Sequence, residues 1–353
     1  MNFDLTDDQR EIRRTAREFL AARYPLEQVR AIALDGEADP HWDEISELGW
    51  PDIAELGTVE LAVLAEQVGY ALAPTPLPST WAAKLLHPGL EGRGTVAMWE
   101  EGNADPEAPA LRADGGLTGT KIAVPHADVA DVLVVTAEGG RHFAVSAADA
   151  AIEPARTLDT TRPLFTVRLD GAPGTELTET DFSHAWHAIA VMAAAESVGV
   201  AARVTAMAVD YAKERKQFGR PIGANQAVSH ACAQMYLETE GARNVTLWAA
   251  WALDHDPEAA RLASYSAKAY ASDAAVNVCR SALQVHGGIG FTWEHDLHLF
   301  LKRAEAGAHV YGDSRWHREQ LADVLLGTGP RAPPRGRGAS ARCRAGARPC
   351  GHA

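Results

Sequence analysis

The chain has 353 residues, 46% hydrophobic and 23% charged, and a formal net charge of −14. That length allows one large or two to three small domains with a sizeable core, and the acidic balance argues against a nucleic-acid or anionic-membrane surface. No uninterrupted apolar run approaches the length of a bilayer span. The N-terminal "MNFDLTDDQR" is acidic and lacks the stretches of a secretion signal, so a cytoplasmic protein is expected. The four cysteines, Cys232, Cys279, Cys343 and Cys350, form no CxxC pair and suggest neither a zinc site nor a redox dithiol.

In chain order, the first segment reads as helical. "TDDQ" at Thr6 to Gln9 forms a capping box, and Ile12, Ala16, Phe19 and Leu20 follow at helical spacing. "HWDEISELGW" and "TVELAVLAEQVGYALA" continue the pattern until the Pro-rich "PTPLPS" breaks it. Near Gly94 the texture changes. "GTVAMWE", "GLTGTKIAV", "DVLVVTA", "RHFAVSA" and "LFTVRLD" are short, β-branched and bounded by Gly, Asp or Pro, which predicts strands of a small barrel or sandwich.

From about Thr180 the chain is helical again. "HAWHAIAVMAAAESVGVAARVTAMAVDYAKER" is apolar almost all round and predicts a buried central helix. Further helices are expected over 224–255, 257–285 and 296–311, with "SRWHREQLADVLL" as a short last one; such lengths with short loops predict an antiparallel bundle. The expected division is an N-terminal helical domain (1–93), a middle β-domain (94–178), a C-terminal bundle (179–328) and a disordered basic tail (329–353). The tail carries six Arg and no acid, and subtracting these six from −14 leaves −20 for the rest.

Two stretches carry chemistry. "RKQFGRPIGANQ" places Arg215, a fixed cation suited to a phosphate, at the C-terminus of the central helix, followed by Gln217, Phe218 and a Gly-Pro turn into Gln226. A C-cap and turn account for the Gly and Pro, but not for Arg, Gln and Phe together. "QVHGGIG" offers Gln284, Val285, Gly287 and Gly288, whose backbone could approach something large and flat. An ordinary helix–helix loop is the plainer reading of the glycines taken alone.

Together the two stretches resemble the C-terminal signatures of the acyl-CoA dehydrogenase flavoproteins, an "R-x-x-F-G-x-x-I" segment followed by Gln and a "Q-x-x-G-G-x-G" segment. The likeness covers nearly all of residues 1–328 and is most specific from Asp210 to Ala304. In texture it is similar to the short actinobacterial members, several of which pair with a larger subunit. The resemblance implies a mainly α fold with a middle β-domain and a C-terminal four-helix bundle. It also implies FAD, with Arg215 on the pyrophosphate, Gln217 and Phe218 on the adenosine side, Gln226 bonded to the cofactor, and Gln284, Val285, Gly287 and Gly288 contacting the same dinucleotide across a subunit boundary. A homo- or hetero-oligomer follows. The implied reaction is α,β-dehydrogenation of an acyl thioester carried by CoA or a carrier protein, with electrons passed to an electron-transfer flavoprotein. A short N-terminal domain suggests room for a bulky, ring-bearing acyl group.

The chain departs from the family pattern where the base belongs. Many members carry Glu in "Y-E-G-T"; here "YGDS" puts Gly312 at that place and Asp313 one position later, a rotation of roughly 100° in a helix. Other members place the Glu early in the central helix, at about Ile189 here, with no acid beside it. Asp313 has two readings: the general base, or the N-cap of the last helix. The "T-E-P-x-x-G-S-D" loop of many members is replaced by "AMWEEGNADPEAP". These losses leave open a second role, a catalytically incompetent partner that completes a neighbour's FAD site. A Ser hydrolase is set aside because no G-x-S-x-G elbow exists. Glu196, inside the apolar helix, is expected to pair with Arg203; Glu294 and Asp296 to cap and orient the next helix; and His295 and His298 to lack the further ligands a metal needs.

Overall fold

In the computed structural model the described residues are 3–35, 38–103 and 109–327. The basic tail, with Cys343 and Cys350, lies outside them. The N-terminal helices are α1 (Asp7–Arg23), α2 (Leu26–Asp35), α3 (Trp42–Glu47), α4 (Thr58–Ala71) and α5 (Leu77–Leu86). The capping box is present at the start of α1: the Gln9 N–H donates to Thr6 Oγ1 at 3.2 Å, and the Thr6 N–H donates to Gln9 Oε1 at 3.0 Å. Helix α5 corrects the reading of "PTPLPS" as a simple break. Its Pro78 sits in the first turn, where the missing N–H costs nothing, and Trp81 Nε1 donates to the Trp50 carbonyl at 2.7 Å.

Seven strands follow: β1 (Gly94–Ala97), β2 (Leu117–Pro125), β3 (Val132–Ala137), β4 (Arg141–Ser146), β5 (Ala151–Ala155), β6 (Leu164–Ala172) and β7 (Thr175–Glu176). They form two sheets, ordered β1-β3-β4-β7 and β2-β6-β5. All pairings are antiparallel except β1 with β3. Leu117, Val124, Leu133, Val135, Phe143, Val145, Phe165 and Val167 pack into one apolar core shared by both sheets, which makes a sandwich. Strand β5 was not legible because "AIEPA" carries a Pro; it survives as an edge strand, where a ladder donor is dispensable.

Helix α6 (Phe182–Glu214) is about 50 Å long. It is long and apolar enough to cross a membrane by length and composition, yet 89% of its apolar window is buried inside the protein. After it come the short strands β8 (Lys216–Gln217) and β9 (Arg220–Pro221), then α7 (Gln226–His255), α8 (Pro257–His286), α9 (Leu297–Gly307) and α10 (Ser314–Leu326). Helices α6, α7 and α8 pack on one another, α9 packs on α6 and α8, and α10 on α8. Helix α4 crosses α6 with backbones touching. A Cβ added at Gly69 would stand 2.0 Å from the Glu196 carbonyl oxygen, and one at Gly199 would stand 2.0 Å from that of Glu66. This double glycine contact fixes where Glu196 lies along the molecule.

Candidate functional site

A cleft of roughly 1540 Å³ opens between the sandwich and the bundle. The sandwich side supplies Met98, Trp99, Glu100, Ile122 and His126, and the 156–164 loop supplies Asp159 and Arg162. The bundle side supplies Met192, Ala193 and Glu196 of α6, then Tyr311, Gly312 and Asp313 before α10. A bulge in β2 between Lys121 and Val124 shifts the register there, and Ala123 and His126 both adopt positive φ. The end of β2 is thereby re-aimed at the cleft.

Four charges are buried together at the floor. Arg303 of α9 donates through Nε to Asp159 Oδ2 at 2.7 Å, through Nη1 to Glu196 Oε1 at 2.5 Å and through Nη2 to Thr161 Oγ1 at 2.6 Å. Arg162 Nη2 also donates to Glu196 Oε1. Burial works to raise the Glu196 pKa, but the two guanidinium groups prevail and hold the carboxyl below its usual range. Two cations and two anions in contact leave the cluster neutral, the condition under which buried ions are tolerated. This corrects the expected Glu196–Arg203 pair. Seven residues along a helix span about 10.5 Å, and Arg203 instead lies over the Tyr70 ring, 5.4 Å from its centroid.

Two buried lysines brace the cleft walls. Lys121 donates to the Met98 carbonyl at 3.0 Å, to Thr136 Oγ1 at 3.1 Å and to Glu100 Oε1 at 2.6 Å. Glu100 in turn accepts from the Ala110 and Leu111 amides at 2.8 and 2.9 Å, so it is a tie within its loop rather than a free acid. Lys268 of α8 donates to Ser272 Oγ at 2.9 Å and to the Gly307 and Gly312 carbonyls at 3.1 and 3.3 Å. Burial pushes its pKa down to about 7, against the pull of Asp313, Asp273 and Glu196. Lys268 thus pins both ends of the α9–α10 connection. Sequence reading missed both lysines; a lone cation amid Ala and Ser in "ASYSAKAYAS" was the available signal.

Asp313 lines the cleft and N-caps α10, its Oδ1 accepting from the Trp316 amide at 2.8 Å. Gly312 has φ +94°, and a Cβ there would stand 2.9 Å from His317 Nε2 and 3.0 Å from Trp316 Cε3. The same His317 nitrogen donates to the Tyr311 carbonyl at 3.0 Å. A side chain at the position where the family pattern expects Glu would therefore be strained in this backbone and would have to displace the His317 and Trp316 rings.

The other predicted residues gather at one end of the bundle, where α6 and α8 finish and α7 begins. Arg215 caps α6: its N–H donates to the Tyr211 carbonyl and its carbonyl accepts from the Ile222 amide, both at 2.8 Å. Strands β8 and β9 form a hairpin with Phe218 (φ +50°) and Gly219 (φ +78°) at the tip, as a two-residue type I′ turn requires. Phe218 is 98% exposed, and Arg215, Gln217, Gln226, Gln284 and Gly288 are exposed too. Val285 is buried, so its side chain belongs to the core and only its backbone can serve a ligand. Tyr211 stacks on His286 with centroids 4.5 Å apart, which brings the hairpin beside the glycine turn. Gly287 (φ +63°) and Gly288 face open space that a Cβ would enter.

This end is remote from the cleft floor. Glu196 and Arg215 are 19 residues apart on α6, about 28 Å at 1.5 Å per residue. Lys268 and His286 are 18 apart on α8, about 27 Å. Asp313 is thus not brought together with the predicted dinucleotide residues within one chain.

The residues named around 294–298 lie nearby. Asp296 stands at the N-cap position of α9 but forms no cap bond; it pairs with Arg30 of α2 at 2.7 Å, and His295 Nδ1 accepts the Leu297 amide at 3.2 Å instead. Glu294 is exposed. No group of three or more metal-ligating side chains occurs among the described residues.

Comparison with known proteins gives a consistent answer. The profile described as acyl-CoA dehydrogenase, C-terminal domain, matches residues 182–326. Acyl-CoA dehydrogenase IpdE2 of Mycolicibacterium smegmatis is 35% identical over 268 residues, 74% of this chain and 76% of that protein. Acyl-CoA dehydrogenase FadE34 of Mycobacterium tuberculosis is 35% identical over 76% of this chain, which spans 38% of that longer protein. Among solved structures, a variant of the Tcur3481-Tcur3483 steroid ACAD superposes with a TM-score of 0.82 at 28% identity, covering 91% of this chain and 98% of that one. Helical–β–helical order, the interdomain cleft and identity sustained across most of the chain lead to one conclusion: the protein belongs to the acyl-CoA dehydrogenase family, whose members are oxidoreductases that act on CH–CH bonds.

Proposed function

We propose that this chain is a subunit of an FAD-dependent enzyme that introduces an α,β double bond into an acyl thioester, and that each complete site draws on two chains. The observation that carries this reading is the separation of about 28 Å between the cleft floor and the Arg215 end along α6. The exposed Arg215, the bare Phe218 ring and the open glycine turn fit a dinucleotide held on a neighbour better than one within this chain's own cleft. Arg215 would fork onto the pyrophosphate. Gln217 and Phe218 would meet the adenosine, Gln226 and Gln284 would hydrogen-bond, and Val285, Gly287 and Gly288 would present backbone. FAD, when bound, supplies the hydride acceptor, and the protein supplies alignment. Electrons would pass on to an electron-transfer flavoprotein.

In the cleft, Lys268 and His317 hold the 307–313 turn so that Asp313 faces the substrate space. As base, Asp313 would remove the α-proton through its second oxygen, the first being committed to the cap. The cleft volume and the similarity to a steroid ACAD favour a bulky, ring-bearing acyl group. The strained position at Gly312 favours a second reading, in which this chain completes a companion's FAD site and performs no proton abstraction itself.

Flavin content separates the two. An active homo-oligomer purifies yellow, with an oxidised flavin spectrum and turnover with an artificial electron acceptor. A completing partner is colourless alone and becomes yellow only when co-expressed with a neighbouring gene product. Asp313→Asn keeps the cap while removing the base, so unchanged turnover in that variant rules Asp313 out.

A further inference from the structure

We propose that Arg162 and Glu196 form a polar subsite on the cleft floor that binds a hydroxyl group carried by the acyl part of the thioester; this rests on the acyl-thioester reading above. Arg162 is 7% exposed and lines the cleft. Its Nη2 is engaged with Glu196, while Nε and Nη1 carry no hydrogen bond among the described residues. Glu196 Oε1 accepts from both Arg162 and Arg303, and Oε2 has no donor among the described residues. The floor therefore offers two donor nitrogens beside one free carboxylate oxygen. The void behind them measures about 10 Å³, at most a single water, so a ligand atom reaches these groups from the cleft side.

The charge balance selects the ligand. Asp159, Glu196, Arg162 and Arg303 already neutralise one another. A carboxylate would add an uncompensated anion next to Glu196. A methylene would leave Arg162 and Glu196 desolvated without partners. A hydroxyl both accepts from Arg162 and donates to Glu196 Oε2. His126 offers a separate acceptor, which a bridging water or a second donor on the ligand would fill, since the hydroxyl's one hydrogen goes to Glu196. Ser79 Oγ donates to the Pro76 carbonyl at 2.8 Å, so it accepts from His126 Nδ1 at 3.3 Å. That fixes the proton on Nδ1 and leaves Nε2 an acceptor, buried and unpartnered. Burial, reinforced by the Arg162 and Arg303 charges, pushes this imidazole down to about 3 and keeps it neutral.

The test is calorimetric titration of the full chain, together with any chain it co-purifies with, against matched acyl-CoAs. These are an unsubstituted parent, a series with one hydroxyl moved along the chain or ring, and the corresponding carboxylated series. One hydroxyl position should bind about ten- to a hundredfold more tightly than the parent, the range for a hydrogen bond to a charged partner, and the carboxylated compounds should gain nothing. Arg162→Lys retains a cation for Glu196 but loses the planar fork. It should keep its flavin content and still bind the parent, at a lower melting temperature because the buried network is perturbed, and lose the hydroxyl preference. A flat hydroxyl series on a protein that binds the parent overturns the subsite alone. So do a preference that survives Arg162→Lys, tighter binding of the carboxylated series, or flavin loss with the preference intact. Failure to bind any acyl-CoA overturns both the subsite and the proposed function.

Discussion

At Gly312 the backbone turns with φ +94°, and the ring of His317 occupies the space a Cβ would need. Gly312→Glu, which restores the family's carboxyl at that place, should cost about 1–3 kcal/mol through backbone strain and raise turnover by nothing, as urea melts and a dye-coupled assay would show. Lys268 gives a prediction in pH. Its folded pKa near 7 lies below the ordinary lysine value because burial disfavours the charge. The unfolded chain then binds the proton more readily between pH 7 and about 10.4, so this group's contribution to stability is present above that window and is lost as pH falls through 7. Lys268→Met should remove that slope. Denaturation midpoints at pH 7 and 9.5 should differ less in the variant than in the wild type; an equal difference would exclude a buried, titrating Lys268.

Among elements, the α4–α6 crossing has the least slack. Gly69 and Gly199 let two backbones touch, and each added methyl would meet a carbonyl oxygen at 2.0 Å. Gly199→Ala should destabilise by about 3 kcal/mol, the upper end of the usual overpacking cost, and displace Glu196 relative to Arg162, so a crystal structure or a loss of soluble yield would report it. A melting temperature within a degree of wild type would show that the helices can separate freely. The long helices were legible because their periodicity runs for thirty residues or so. Strand β5 and helix α5 were not, because a Pro in each masks a permitted position, an edge strand in one case and a first turn in the other. The hairpin residues Arg215 to Gln226 were legible as a unit, since the Gly-Pro punctuation gave the turn and the plainer reading left Arg, Gln and Phe unaccounted for. The floor cluster was half legible: Glu196 declared itself by being an acid in an apolar helix. Its partners came from loops and helices 34 and 107 residues away, beyond the reach of local pattern.

For the whole molecule, the apolar surface repeats what the site geometry suggests. Phe218, Ile289, Phe291 and Trp293, all exposed, lie in the hairpin and in the 287–293 segment at the same end of the bundle, where a flat ligand and a second chain could cover them. The 28 Å of α6 that divides that end from the cleft has a genetic consequence. If like chains assemble, a molecule crippled at the hairpin by Arg215→Ala and another crippled at the floor by Glu196→Gln each lack one half of every pocket. Mixed in one assembly, the intact hairpin of the second would reach the intact floor of the first. Two silent alleles would then rescue each other, and thioester turnover would reappear in cells carrying both and in neither parent.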